Sequence, residues 1–345
     1  MKIGIITFHK DPNHGAFLQA FATMKVVEAL GHEVHIINYE NKSYKLKNMM
    51  GILKYRRPVR FLDRFSKSLA FRKDQRHMIL TKYTTNPSNV RKMYFDCVII
   101  GSDIVWNYLQ VGFDDIYFGN VNAKKIIAYA PSFGWINFDE KIPNKVKKSF
   151  ELFESISIRD SNSQKILEKL TGINYEIVVD PTLLFDFTNY EVYTKRLQES
   201  NNYILIYAYH LKESVIHKIK NLAKEKNIKT VAIGYRQDWC DEVIMDVGPF
   251  EWLSYIKNSS YIFTSTFHGA IFSIKYKKEF FVSLTDSNSN KVKYLLHQFG
   301  LLDRVLTDNN SSKLFSDKIK YDKIENQIKP LIDNSKKYLI ESIGK

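Results

Sequence analysis

The sequence is poor in several features that mark particular classes of protein. Cysteine occurs only twice in 345 residues, at Cys97 and Cys240, which is too few for a disulfide framework or a cysteine-rich metal cluster. No apolar run reaches the roughly 18 residues that a membrane-spanning helix needs. The N-terminus lacks the apolar core and the cleavage site of a signal peptide. We therefore expect a cytoplasmic protein without a transmembrane helix.

Several widespread motifs are also missing. The sequence contains no Walker motif, no G-x-G-x-x-G fingerprint, no H-E-x-x-H pair and no G-x-S-x-G nucleophile turn. Zinc-binding spacing, helix-turn-helix signatures and aromatic RNA-binding motifs are absent as well, so we expect no nucleic-acid partner. The formal net charge is nevertheless +14 at pH 7, from 51 Lys and Arg against 37 Asp and Glu. Such a balance favours acidic partners such as phosphorylated substrates or anionic lipid head groups.

Apolar strands and amphipathic helices alternate along the chain. A strand at 2–7, a helical pattern from Phe17 to Leu30 and a strand at 33–38 form the first βαβ unit. The same patterns predict further strands at 95–100, 124–130, 155–158, 176–179, 203–208, 228–233, 261–264 and 279–284. Helices are predicted at 139–152, 160–170, 212–226, 270–276 and 320–342. This alternation predicts the α/β fold class, with two Rossmann-like domains facing across a cleft.

The predicted domains are residues 1–188 and 200–345, joined by a polar, turn-prone stretch around 186–202. The final helix can pack back on the first domain. Residues 41–92 interrupt the alternation and are predicted to be a basic helical insertion in the first domain.

The segment 54–73 of this insertion is strongly basic. Its charged residues are Asp63 and the basic residues Lys54, Arg56, Arg57, Arg60, Arg64, Lys67, Arg72 and Lys73. Apolar side chains are interleaved with them, which predicts an amphipathic helix. Two roles stay open: peripheral association with the inner face of a membrane, and a solvated insertion that packs on the sheet, which we favour.

Polar residues follow three predicted strands, where a parallel sheet presents its ligand-binding edge. After the strand at 261–264, the turn 265–269 offers hydroxyls, the His268 imidazole and a helix N-terminus, which together suit an anion. The alternative is a helix cap with a hydrogen-bonded histidine. Arg159 can grip a carboxylate or phosphate, or form a structural pair with a nearby carboxylate. The loop 101–107 can bind a sugar through Ser102 and Asp103, with Trp106 stacked on its ring, or can be a plain turn.

Taken in order, seven segments resemble the polysaccharide pyruvyl transferase family. They are residues 13–20, 101–107, 127–134, 156–160, 179–184, 264–269 and 299–304. The resemblance implies a fold like that of GT-B glycosyltransferases, with phosphoenolpyruvate as donor. It also implies a reaction in which two sugar hydroxyls become a pyruvate ketal and phosphate is released, without a metal or a redox cofactor.

The resemblance also assigns residues to roles. Arg159 would bind the anionic groups of the donor, and His268 would contact its phosphate or act as the acid. Further donor-binding residues would be Ser265, Thr266, Phe267, Gly269 and Lys291. Acceptor-binding residues would be Asn13, Gly15, Gln19, Gly101, Ser102, Asp103, Trp106 and Asn107. The family often has arginine where this chain has Lys291, which keeps the charge but lacks the bidentate fork.

The implied acceptor is a sugar nucleotide, a lipid-linked sugar or an oligosaccharide on the way to a cell-surface polysaccharide such as a capsule or exopolysaccharide. Two other functions are compatible with the same architecture. One is a glycosyltransferase that uses a sugar nucleotide, and the other is a glycan-binding protein without catalytic activity.

Overall fold

A computed structural model describes residues 1–46, 58–199, 202–285, 289–307 and 315–344. The chain forms two compact units. The first comprises Met1–Pro58, Arg76–Phe185 and Lys329–Lys345, and the second comprises Val59–Gln75 and Asp186–Ile328. Each unit contains one parallel β-sheet with helices, so the α/β class with two Rossmann-like units is confirmed. Among the described residues, no helix is long and apolar enough to cross a membrane.

The first unit is built on a parallel sheet in the order β2-β1-β3-β4-β5-β6. Its strands are β1 (Lys2–Ile6), β2 (Glu33–Ile36), β3 (Tyr94–Ile100), β4 (Asn122–Ala128), β5 (Ser155–Ile158) and β6 (Glu176–Ile177). Its helices include α1 (His14–Ala29), α3 (Pro87–Arg91), α4 (Tyr108–Val111), α5 (Asn144–Ser149), α6 (Ser161–Thr171) and α7 (Pro181–Leu184). The centre of β1 and β3 is entirely buried, as expected for strands covered by helices on both faces.

The second unit is built on a parallel sheet in the order β11-β10-β7-β8-β9. Its strands are β7 (Tyr203–Tyr207), β8 (Lys229–Ile233), β9 (Glu242–Ile244), β10 (Tyr261–Thr264) and β11 (Glu279–Val282). Its helices include α2 (Pro58–Gln75), α8 (Lys195–Glu199), α9 (Glu213–Lys226), α10 (Pro249–Asn258), α11 (Phe267–Lys275) and α12 (Ser289–Gln298). The last helix, α13 (Tyr321–Ile343), contributes its first residues to this unit and its remainder to the first.

The membership of α2 corrects the predicted domain organisation. The sequence placed residues 41–92 in the first domain, whereas Val59–Gln75 belongs to the second unit. The reason is a set of polar contacts within that unit, including an ion pair between Asp63 and Arg236. Residues 54–57 of the basic segment lie outside the described residues. The C-terminal residues 329–345 group with the first unit.

The stretch 186–199 is packed structure rather than a free linker. Phe187 is fully buried, and its ring centroid lies 5.5 Å from that of Phe272 in α11. The second unit accordingly begins at Asp186, before the predicted start of the second domain. One predicted helix is also shorter than expected, because α5 begins only at Asn144, after Pro143.

Candidate functional site

Arg159 lies at the carboxyl end of β5, inside a buried polar network of the first unit. Its Nη1 donates to Asp180 Oδ2 at 2.6 Å and to Ser102 Oγ at 3.3 Å. Its Nη2 lies 3.7 Å from Asp103 Oδ1. The side chains of Arg159 and Asp180 are 2% and 0% exposed. The structural-pair alternative for Arg159 is therefore realised, and direct contact with a donor stays a prediction.

Two carboxylates at this edge are fully engaged by hydrogen bonds. The second oxygen of Asp180 accepts from the Thr182 backbone N–H at 3.0 Å and from its hydroxyl at 2.7 Å, which caps α7. Asp160 caps α6 by accepting from the Ser163 N–H at 2.8 Å, and its other oxygen accepts from the Ser132 hydroxyl at 2.6 Å. In the described part of the chain, no three His, Cys, Asp or Glu side chains are grouped as metal ligands.

Of the carboxylates of Asp103, Asp160 and Asp180, that of Asp103 keeps an oxygen available. Its Oδ1 accepts from the Ile104 N–H at 2.9 Å, and no hydrogen-bond donor among the described residues reaches its Oδ2. The backbone of Asp103 has φ 80°, and Ala130 in the neighbouring loop has φ 58°. The Ser132 N–H donates to the Asp103 carbonyl at 2.8 Å and joins the two loops. Such non-glycine residues in the left-handed region are costly and concentrate at functional sites.

Trp106 lies in the hydrophobic core and not at the site. Its side chain is fully buried, and its ring centroid lies 5.0 Å from that of Phe150 and 5.6 Å from that of Phe133. The indole N–H donates to the Tyr117 carbonyl at 3.1 Å. The prediction that Trp106 stacks on a sugar ring is wrong, because the loop after β3 turns this residue back into the core.

The segment 13–19 begins a helix rather than forming an open loop. Asn13 caps α1 by accepting from the Ala16 N–H at 3.2 Å. Gln19 is fully buried, and its Nε2 donates to the Thr7 hydroxyl at 2.9 Å. Gly15 is buried in the first turn of α1. Gln19 and Gly15 therefore have structural roles here, and the contacts of Asn13, Gly15 and Gln19 with an acceptor stay predictions.

Gly101 and Asn107 both support the loop between them. The Gly101 N–H donates to the Ile6 carbonyl at 2.8 Å, and a Cβ atom on residue 101 would lie 3.1 Å from Thr7 Cβ, so this glycine allows the ends of β3 and β1 to approach closely. Asn107 is fully buried and caps α4 by accepting from the Gln110 N–H at 3.1 Å. Its Nδ2 is buried without a hydrogen-bond partner among the described residues. Contact of Asn107 with an acceptor stays a prediction.

A small pocket that the sequence did not predict lies beside the carboxyl ends of β1 and β2. It is lined by Thr7, Phe8, His9, Lys10, Asp11, Tyr39, Glu40, Tyr44 and Tyr117. The Tyr44 hydroxyl donates to Asp11 Oδ2 at 2.8 Å. Burial lowers the pKa of His9, so its ring is neutral near pH 7. The run of polar residues that directly follows β1 could have indicated this pocket, because open α/β sheets bind ligands at the carboxyl ends of their strands.

In the second unit, a tight turn connects β10 to α11. Thr266 caps the helix by accepting from the Gly269 N–H at 2.9 Å. The Thr264 hydroxyl donates to the Tyr207 carbonyl at 2.7 Å and accepts from the Thr266 N–H at 3.0 Å. A Cβ atom on residue 269 would lie 2.1 Å from Thr264 Oγ1. Only glycine fits at this position, and Thr266, not His268, supplies the cap.

His268 stands in the first turn of α11 and is 8% exposed. Its ring packs edge-on against Phe267, with the ring centroids 5.3 Å apart. Lys291 of α12 places its Nζ 5.9 Å from the centroid of the Phe267 ring. The residues predicted to bind the donor, 265–269 and 291, are thus brought together. A lysine, a histidine and a positive helix end form a site suited to an anion. Contact with a donor stays a prediction.

A pair of tyrosines that the sequence did not predict, Tyr209 and Tyr235, lies on the same edge of this sheet. The Tyr209 N–H donates to the Ser265 hydroxyl at 2.8 Å. The centroids of the Tyr209 and Tyr235 rings are 4.1 Å apart, and the Tyr235 hydroxyl donates to the Tyr209 hydroxyl at 2.8 Å. Gln237 fixes the backbone here by donating from Nε2 to the Ala208 carbonyl at 2.8 Å. Tyr209 is 46% exposed and therefore offers an aromatic surface next to Ser265.

Solved structures of low sequence identity share this fold. UGT89C1 of Arabidopsis thaliana, solved in complex with UDP, has a TM-score of 0.52 at 11% identity, over 99% of each chain. UDP-GlcNAc 2-epimerase of Methanocaldococcus jannaschii has a TM-score of 0.52 at 12% identity, over 96% of this chain and 93% of that one. The glycotransferase of kitacinnamycin has a TM-score of 0.51 at 10% identity, over 99% of each chain. The prediction of a GT-B-like fold is thereby confirmed.

Sequence comparison gives a sharper result. None of the curated proteins compared with the chain matches it. The family model described as polysaccharide pyruvyl transferase matches residues 13–287, which is well over half of the chain. The matched region contains Arg159, the 101–107 loop and the 265–269 turn, whereas Lys291 lies just beyond it. The chain belongs to the polysaccharide pyruvyl transferase family.

Proposed function

We propose that this protein is a ketal-forming pyruvyl transferase. It transfers the three-carbon unit of phosphoenolpyruvate to two hydroxyls of a sugar in a cell-surface polysaccharide precursor and releases phosphate. The observation that carries the proposal is the family match over residues 13–287, which contains polar strand ends from both units. The precursor is a sugar nucleotide, a lipid-linked sugar or an oligosaccharide.

The donor half of the proposal rests on the anion-suited turn of the second unit. Phosphoenolpyruvate carries a phosphate and a carboxylate, and both groups favour a cationic environment. Lys291 and the N-terminus of α11 supply positive charge next to the Phe267 ring. His268 belongs to the first turn of this helix and, when protonated, can bind the phosphate or deliver a proton.

The proposed chemistry needs one acid and one base. Protonation at the methylene carbon of phosphoenolpyruvate turns it into a methyl group and makes the neighbouring carbon electrophilic. A first sugar hydroxyl attacks that carbon and gives its proton to a base. A second hydroxyl on the same sugar then displaces phosphate at that carbon, and its proton is carried away as well. Two C–O bonds form, one C–O bond to phosphate breaks, and no redox step is involved.

The acceptor half of the proposal centres on Asp103. Among the carboxylates at the sheet edge of the first unit, Asp160 and Asp180 have both oxygens engaged. Asp103 keeps Oδ2 available within the described residues, so it is the carboxylate that we assign to a sugar hydroxyl. Arg159 receives a positioning role, because its buried guanidinium holds Ser102 and Asp180.

Purified protein incubated with phosphoenolpyruvate and candidate glycans tests the proposal. We expect phosphate release that depends on the acceptor, together with an acceptor mass increased by one pyruvate ketal. His268→Ala should abolish both signals, whereas the control His217→Ala should keep them, since the His217 side chain is 70% exposed. A protein that neither binds nor turns over phosphoenolpyruvate with any acceptor contradicts the proposal.

Thermal shift measurements separate the two alternative functions. A ligand that binds only the folded state raises the midpoint temperature of thermal unfolding. Stabilisation by UDP and not by phosphoenolpyruvate would favour the glycosyltransferase function. Stabilisation by glycans that persists unchanged in His268→Ala, without turnover in the unmodified protein, would favour the glycan-binding function.

A further inference from the structure

Helix α2 packs its polar side against the rest of the second unit. The Arg236 guanidinium donates to both carboxylate oxygens of Asp63, at 2.6 and 2.8 Å. Lys67 donates to the Gly234 carbonyl at 3.0 Å and is 6% exposed. Asp74 accepts a backbone N–H from α10 at 2.9 Å. These contacts, all inside the second unit, hold the helix by ion pairing and hydrogen bonding.

The opposite side of α2 is apolar and is turned away from these contacts with the second unit. Its exposed apolar side chains are Phe61 (55%), Leu62 (63%), Phe65 (58%) and Leu69 (49%). Because an α-helix turns by about 100° per residue, these four positions fall within an arc of about 100°. The exposed residues Arg72 and Lys73 continue the same side towards the end of the helix. We call this surface, residues 61, 62, 65, 69, 72 and 73, the outer face of α2.

The arrangement is the reverse of the usual one. A surface helix of a globular protein normally buries its apolar stripe and exposes its charges. Here Phe71, which is 6% exposed, and the polar contacts hold the helix, and the exposed stripe of Phe61, Leu62, Phe65 and Leu69 takes no part in these contacts. Contiguous exposed apolar surface marks a contact with another molecule or with a membrane.

We propose that the outer face of α2 binds the surface of an anionic lipid bilayer. The two phenylalanines and two leucines would enter the boundary between head groups and acyl chains, while Arg72 and Lys73 would contact lipid phosphates. Charge complementarity supports this occupant, since the whole chain carries a net charge of +14. A second copy of the chain is a poorer partner, because both copies carry a net charge of +14 and repel each other.

The proposal is independent of the proposed reaction and has its own test. The full-length protein is mixed with vesicles of phosphatidylcholine and phosphatidylglycerol, or of phosphatidylcholine alone, and floated on a density gradient. We expect binding to the anionic vesicles and much weaker binding to the neutral ones. Phe61→Ser/Phe65→Ser should lower the partition coefficient at least about tenfold, from the apolar area withdrawn from the bilayer. Arg72→Gln/Lys73→Gln should weaken the preference for anionic vesicles without abolishing it, because the rest of the chain stays basic.

The matched control is Leu152→Ser/Ile173→Ser in the first unit. Those side chains are 48% and 53% exposed, so the control removes comparable apolar surface elsewhere, and it should float like the unmodified protein. Equal binding of the control and the Phe61→Ser/Phe65→Ser variant, or no binding of the unmodified protein to anionic vesicles, overturns the proposal. Absence of vesicle binding combined with a dimer that Phe61→Ser/Phe65→Ser dissociates, measured by light scattering, would assign the outer face to a second copy and equally overturn it.

Discussion

Arg159 and Asp180 form an ion pair with 2.6 Å between Nη1 and Oδ2, and neither side chain is more than 2% exposed. The pair ties the carboxyl end of β5 to the first turn of α7, and Ser102 adds the loop after β3. Burying two charges carries a large desolvation penalty, which their attraction and hydrogen bonds offset only while both partners are present. The pair therefore fixes the polar edge of the first unit more than it adds net stability.

Removal of the arginine from this pair should destabilise the protein strongly. Arg159→Leu leaves Asp180 as a buried charge without its cation, and we expect the free energy of unfolding to fall by about 3–5 kcal/mol. Urea denaturation measures it. The control is Arg196→Leu, which breaks a pair with Asp246 whose side chains are 50% and 51% exposed. Loss of such a surface pair should lower the free energy of unfolding by about 1 kcal/mol or less. Equal losses in the two variants would contradict this account.

Gly269 should tolerate no side chain. In Gly269→Ala the new Cβ would meet Thr264 Oγ1 at 2.1 Å, and this hydroxyl is buried and held by the Tyr207 carbonyl. We expect a loss of about 3 kcal/mol or more in the free energy of unfolding from overpacking, together with loss of phosphoenolpyruvate binding.

Gly172→Ala is the matched control for this substitution. Gly172 has φ 76°, and nothing lies within 4 Å of the position where its Cβ would be. Gly172→Ala should therefore lower the free energy of unfolding only by the backbone strain of an alanine in the left-handed conformation, about 1–2 kcal/mol. A Gly269→Ala protein that is as stable as Gly172→Ala would show that the turn can relax.

Most of the fold could be predicted because its strands are short apolar runs separated by amphipathic helices. β7, for example, is buried along its whole length and stands out in the sequence. The edge strand β9 was missed because it has only three residues, Glu242–Ile244, and two of them are partly exposed. Helix α10 was also missed, although Gly248 and Pro249 form a recognisable start signal.

The site was harder to predict than the fold, because side-chain direction depends on distant residues. The position of Trp106 after β3 could be predicted, but its burial depends on Phe133 and Phe150, which come from later segments. The partner of Arg159 cannot be identified from the sequence for the same reason, since Asp180 is 21 residues away. The 265–269 turn was easier, because a strand end and a helix start within a few residues fix its geometry locally.

Lys291 should contribute to donor affinity through its charge. Lys291→Ala removes a cation whose Nζ lies 5.9 Å from the Phe267 ring, and we expect about a tenfold weaker affinity for phosphoenolpyruvate, measured by calorimetry. Lys291→Arg should keep most of the affinity because it keeps the charge. The control Lys293→Ala changes an exposed lysine of the same helix and should leave the affinity as it was. An equal effect of both alanine variants would point to the net charge of α12 rather than to a contact.

Lys67 should make stability depend on pH in the alkaline range. Burial, with a smaller effect from the nearby Arg64, lowers the pKa of Lys67 from the ordinary value of 10.5 to about 7 in the folded protein. Below about pH 7 the Lys67 amine is protonated in both the folded and the unfolded state. Between about pH 7 and 10.5 the unfolded chain holds a proton that the folded protein has released. The unfolded state then binds more protons, so the stability contribution rises with pH, by at most about 1.4 kcal/mol per pH unit.

The variant Lys67→Met isolates this contribution. Its side chain does not titrate, so the difference in unfolding free energy between the unmodified protein and Lys67→Met should grow in favour of the unmodified protein from pH 7 to pH 10. Chemical denaturation at a series of pH values measures the difference. Lys73→Met removes an exposed lysine from the same helix and should give a difference that does not change with pH. Parallel stability curves for the unmodified protein and Lys67→Met would mean that Lys67 stays protonated inside the fold. The Gly234 carbonyl and the Tyr235 ring, 4.9 Å from its Nζ, would then stabilise a buried cation.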